Sequence, residues 1–218
     1  MSKNEHFRDF LREVEPIRIK EPLAEILGTF RVEEAILEYS YTDTVKMAGH
    51  ACPTVTGAYL ICQEALKKLY QEDIPARGEI SITIYGATDE GVYGVIGQVF
   101  TFLTGAAPLS GFRGLGHRFR RKDLLRFRPE RTEPEAMSFE FKRLDNGKAI
   151  LAKFYPQLIP FSVEKASRLQ ELLEKIIWDA AKEGEQHEFQ NLWMEKVKLM
   201  LVERKGIDRW LRIEERRN

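Results

Sequence analysis

The segment Gly49-His50-Ala51-Cys52-Pro53 sets an imidazole, a thiol and a proline within four residues of one another. Proline suits the first turn of a helix, where its missing N–H would be unpaired anyway, so the spacing predicts a helix over 53–70 with Cys52 as its N-cap. Val55, Tyr59, Cys62, Leu66 and Leu69 fall on one face of it. The turn before such a helix exposes unpaired N–H groups and the positive end of the dipole, which favour a thiolate. Thiolate and imidazole two residues apart can face one cation of borderline softness, zinc above all. Two other readings stay open: a half-buried cysteine beside a surface histidine, and a metal-free thiol with His50 as its base.

Two donors do not complete a site. His117, in Gly114-Leu-Gly-His117, is the third metal-ligand candidate, because the glycines around it permit unusual backbone geometry. Asp89 is a further donor, and Asp89 or Glu90 are the candidates for a catalytic base. Thr88 beside them is a ligand-binding candidate and the expected N-cap of a helix over 90–103. His6 and His187 lie in charged contexts and read as solvated, while Cys62 reads as a small core hydrophobe.

From Gly111 the chain runs GFRGLGHRFRRKDLLRFRPER, with eight Arg and Lys against Asp123 and Glu130. A guanidinium makes forked bonds to carboxylate or phosphate. Arg113 and Arg118, set among glycines, are the candidates for an anionic ligand, ahead of Arg120, Arg121, Arg126 and Arg128. The alternative is a solvated face paired with glutamates elsewhere.

Several elements must position these groups. Residues 1–32 alternate charged and apolar positions in a helix-like way, broken by Pro16 and Pro22, and read as an N-terminal helical extension. Residues 35–41 read as a strand, and 42–48 as a short helix capped by Thr42 or Asp43. Glu79 to Tyr85 alternates with period two, as a half-buried strand does. Glycines at 91, 94 and 97 imply close backbone approach, read as packing against helix 53–70 or as room for a ligand. Residues 137–144 and 148–155 flank Asp145-Asn-Gly147, a hairpin signal, and Pro156 and Pro160 are expected to end the sheet. Two amphipathic helical patterns then fill 162–205, followed by a charged tail anchored by Ile207, Trp210 and Leu211.

The expected class is α+β: a mixed or antiparallel sheet packed against helices, with a C-terminal helical hairpin. The expected organisation is an extension at 1–32, a core at 33–160, and the hairpin and tail at 161–218. Lys+Arg and Asp+Glu are both 34, so no global field argues for nucleic acid or an anionic membrane surface. No apolar run reaches the ~20 residues of a membrane span, and the charged N-terminus does not read as a signal peptide. Two cysteines make no disulfide framework, which fits a cytoplasmic protein.

The stretch from Tyr41 to Tyr59, with Gly49, His50, Cys52, Pro53 and Gly57 in place, resembles the opening motif of the formylmethanofuran dehydrogenase E family. The resemblance extends over roughly 38–160. It implies an α+β core, often dimeric, with a metal-associated His/Cys pocket and a link to one-carbon or molybdenum-dependent metabolism. Members carry a further cysteine and an aspartate at the second helix, where this chain has Gly91 and Gly94. Many also carry a four-cysteine zinc finger, where this chain has a helical hairpin.

Two functions are therefore expected. One is a metal-dependent pocket, zinc held by His50, Cys52 and His117, that acts on or senses a small anionic ligand oriented by Arg113 or Arg118. The other is a non-catalytic accessory protein or carrier. A homodimer is expected in either case, through Leu192, Trp193, Val197 and Leu201 or through the core sheet.

Overall fold

The computed structural model describes residues 7–30 and 35–216, so His6 lies outside the described residues. Its centre is a five-stranded mixed sheet with the strands β3 (Ile80–Tyr85), β6 (Leu125–Arg128), β7 (Met137–Arg143), β8 (Ala149–Phe154) and β9 (Leu211–Glu215) in the order β6-β3-β7-β8-β9. β6 runs parallel to β3, and the other pairs are antiparallel. The α+β class is thus observed. Period-two alternation assigns the faces: Ile82, Phe141 and Ile150 pair across three strands and are buried, while Thr83, Glu140 and Leu151 face the other way.

Two helices cover the apolar face, α3 (Pro53–Tyr70) and α4 (Tyr93–Thr104). α3 lies so close to β8 that a Cβ on Gly57 would meet the Phe154 ring at 3.0 Å. The glycines of the second helix have three separate reasons rather than one shared with α3. Gly97 sits against Phe127 and Ile84 of the sheet, Gly94 lies 3.1 Å (measured to an added Cβ) from the Thr88 carbonyl, and Gly91 is left-handed at φ +53. That left-handed residue breaks the helix expected from 90, so Thr88 caps nothing and α4 begins at Tyr93 behind Val92.

The N-terminal extension is not helical throughout: a 3-10 turn at Asp9–Arg12 is followed by a strand and a short helix. β1 (Ile17–Lys20) pairs antiparallel with β2 (Ile36–Tyr39), and α1 (Pro22–Ile26) between them is a single short turn. α2 (Tyr41–Ala48) starts one residue before the expected cap. Ser40 accepts the Asp43 N–H and Asp43 accepts the Ser40 N–H in return, a capping box.

At the C-terminal end α5 (Val163–Ile177) and α6 (Glu183–Lys198) form the expected pair, joined by Arg168–Glu188 and Lys175–Glu185 bridges. Val197, Met200 and Leu201 are fully buried within this chain, so two of the four residues expected to drive self-association serve its own core. Arg204, left-handed at φ 47, turns the chain and bonds Glu64 and Gln63 of α3. After α7 (Ile207–Trp210) the charged tail then enters the sheet as β9 on the free edge of β8. Pro156 and Pro160 interrupt the sheet without ending it.

Candidate ligand-binding site

The turn before α3 is built as the sequence predicted. Cys52 is extended at φ −149, ψ 165, and its Sγ accepts the Val55 N–H at 3.4 Å, with Pro53 next in line. Gly49, left-handed at φ 78, ends α2 and delivers His50 to the surface. The His50 Nδ1 lies 3.0 Å from the Ala48 carbonyl, which can only accept, so Nδ1–H is assigned as the donor. In the neutral ring that is the tautomer a metal-ligating histidine adopts. Trp193 of α6 donates its indole N–H to the Ala51 carbonyl at 3.0 Å, which pins the turn from above.

Cys52 itself is only 7% exposed, and the Thr56 hydroxyl bonds its carbonyl at 2.8 Å while also bonding the Tyr41 hydroxyl. No hydrogen bond among the described residues joins the His50 ring to the Cys52 thiol, so the imidazole is not seated as a base on it. The nitrogen and sulfur donors have the chemistry zinc prefers, but they supply half of a tetrahedral shell. Among the described residues no group of three or more His, Cys, Asp and Glu side chains could hold a metal ion. A closed four-ligand centre therefore does not fit these residues. Cys62 is buried as expected, and burial pushes its thiol pKa up.

The remaining candidates fall elsewhere. Thr88 and Asp89 are exposed in the turn after β3, and Glu90 is engaged by Arg131. His117 and Arg118 sit together at the tip of a two-stranded hairpin that the sequence did not announce, β4 (Gly114–Leu115) with β5 (Phe119–Arg120). The hairpin closes tightly because Gly114 is left-handed at φ +82, with Phe119 backbone where a side chain would go. Beside it opens a cleft of about 500 Å³ whose walls include Gly78, His117, Arg118, Arg120, Asp123 and Arg126. Arg113 stays exposed outside this wall, and its carbonyl accepts the N–H groups of Arg121 and Lys122.

Charge within the cleft is unevenly satisfied. Asp123 accepts from Nε and Nη2 of Arg126 at 3.0 and 2.8 Å and also from Arg120 at 3.4 Å, and these bonds hold its carboxyl pKa below the ordinary aspartate value. Asp145, on the far wall, is committed to Arg143 through two bonds, and Glu79 is exposed at the rim. Among the described residues Arg118 is held only by the Phe119 ring, 5.1 Å from its centroid, and no carboxylate engages it. Compared with known proteins, the chain matches no family model and no curated protein.

The expected acid/base residues, the thiol and the arginine cleft stand on separate elements, and among the described residues no base is hydrogen-bonded to a nucleophile at any of them. The sequence paired Arg118 with His117 by adjacency alone. It missed Asp123 as the residue that neutralises Arg120 and Arg126, although the left-handed Asp123, φ 64, sits only three positions from each.

Proposed function

We propose that this protein is a non-catalytic binding or accessory protein that holds a small anionic ligand in the cleft beside the β4–β5 hairpin. The observation that carries this reading is Arg118, a guanidinium at the mouth of a cleft of about 500 Å³, stacked on an aromatic ring and engaged by no carboxylate among the described residues. His117 beside it adds a second donor, and a carboxylate or phosphate oxygen pair matches the guanidinium fork. Arg120 and Arg126 serve to orient through Asp123, whereas Arg113 steers from outside the cleft.

The kinship to the formylmethanofuran dehydrogenase E family, and with it a role in one-carbon or molybdenum-linked metabolism, belongs to the same proposal. It is supported by the Gly49 to Gly57 motif and by an α+β core of the kind that family implies. Zinc belongs to it as a two-donor site at His50 Nε2 and Cys52, with the other positions left to water or a second molecule. A homodimer would use the outer face of the sheet, because Val197 and Leu201 are buried in the chain.

Titration calorimetry at low salt with inorganic phosphate and malonate, on the wild type and Arg118→Ala, tests the ligand. Saturable heat in the wild type that vanishes in the variant is expected; identical heats in the two proteins would refute the cleft. Elemental analysis of the wild type beside His50→Ala and Cys52→Ser tests the metal, and zinc retained in both variants would refute the two-donor site. Light scattering showing a monomer at high concentration would remove the dimer.

A further inference from the structure

Directly behind the cleft lies a buried cluster of three charges. Glu21, 7% exposed, accepts the Leu23 N–H at 3.1 Å, Nη1 of Arg77 at 3.1 Å, and Nη2 of Arg121. Two guanidinium groups thus share one carboxylate. Arg77 spends its other nitrogens on the carbonyls of Leu103 and Phe102, at 3.3 and 2.7 Å, where the C-terminal end of α4 offers about half a negative charge. Arg121 has no such second acceptor among the described residues: its side chain is 3% exposed and its Nε is buried without a partner.

The position of that unsatisfied group gives it a direction. Gly78 is left-handed at φ +84, and a Cβ there would collide with Nε and Cδ of Arg121, so only the bare glycine backbone separates them. Gly78 is itself part of the cleft wall, beside Arg118 and Arg120. Positive charge in excess of its partner, kept from water, acts across such a wall with little screening, and its pull grows with the charge of the ligand.

We infer that the Arg121–Glu21–Arg77 cluster is the electrostatic back wall of the cleft, that Arg121 gives it a preference for doubly charged oxyanions of the phosphate type over singly charged carboxylates, and that Glu21 holds that preference down. This rests on the ligand reading of the Arg118 cleft. Glu21 does not touch the ligand; it acts through Arg121 as a positioning residue. Its negative charge weakens the wall, and Arg121 strengthens it, so the two substitutions move affinity in opposite directions.

The experiment is calorimetric titration of the full chain at low ionic strength with inorganic phosphate and with acetate, on wild type, Glu21→Gln, Arg121→Met and Arg118→Ala, each checked for folding by circular dichroism. Glu21→Gln is expected to tighten phosphate by about 3- to 10-fold and acetate by less, and Arg121→Met to weaken phosphate by a similar factor. A merely structural role would weaken both anions alike in both variants. Should Glu21→Gln fail to fold, Arg121→Met carries the test, since it leaves Glu21 paired with Arg77. An unchanged phosphate-to-acetate ratio in the folded variants overturns the back wall while Arg118→Ala still reports on the cleft. A wild type that binds no phosphate overturns the ligand reading and this inference with it.

Discussion

At the start of α3 each chemically promising group has found a partner inside the chain. The Cys52 thiol accepts from Val55, His50 leans on the Ala48 carbonyl, and Trp193 closes over Ala51. At the β4–β5 hairpin the reverse holds: Arg118 has an aromatic ring beneath it and, among the described residues, no acid paired with it. The difference lies in what surrounds each segment. A helix start must satisfy its own N–H groups, so the fold consumes a thiol as a cap, whereas a short hairpin satisfies its backbone across two strands and leaves side chains free. Arg118 and Arg121 show the same contrast within three residues, one exposed and one sealed behind Gly78 and Gly105.

The comparison breaks hardest at Gly105. It is left-handed at φ +73, and a Cβ there would enter the Arg121 guanidinium, so Gly105→Ala is expected to cost about 3 kcal/mol or more. Thermal denaturation measures it; a loss under about 1 kcal/mol would mean that Arg121 is not held as described. Next comes Trp193→Phe, which removes one hydrogen bond from the helix-start turn and is expected to cost about 1 kcal/mol in denaturant unfolding.

Cys52→Ala removes a sulfur cap, weaker than an oxygen one, and is expected to cost at most about 1 kcal/mol, with Cys52→Ser recovering the loss. If Cys52→Ser instead loses a bound metal while keeping its stability, the turn is a site as well as a cap. The smallest effect belongs to Asp123→Asn, within about 0.5 kcal/mol of wild type because its bridges are solvent-exposed. Its carboxyl pKa is depressed by Arg126, so its stabilisation is present above the unfolded value of about 3.9 and lost as pH falls through the lower folded value. Unfolding curves at pH 5 and pH 8 should therefore show no contribution from this residue to any difference.

Much of the fold was legible because local signals agreed with it. Pro53 and the apolar repeat fixed α3 and its cap, alternation fixed β3, and Asp145-Asn-Gly147 fixed the β7–β8 turn. β9 was not legible, since Leu-Arg-Ile-Glu-Glu sits on a sheet edge and only its first residue is buried. Nor was the start of α4, where the left-handed Gly91 overrode the Thr88 cap signal. In the site, the neighbours His117 and Arg118 were readable from adjacency. The burial of Arg121 was not, because it depends on Glu21, distant in sequence, and on two glycines from other segments.

Calorimetric titration of the wild type and Arg118→Ala with inorganic phosphate at low ionic strength tests whether Arg118, engaged by no carboxylate among the described residues, holds an anion. Saturable binding in the wild type and at least about a 10-fold loss in a variant of unchanged thermal stability are expected. Equal phosphate binding by the two proteins, or none by the wild type, would contradict an anion held by Arg118.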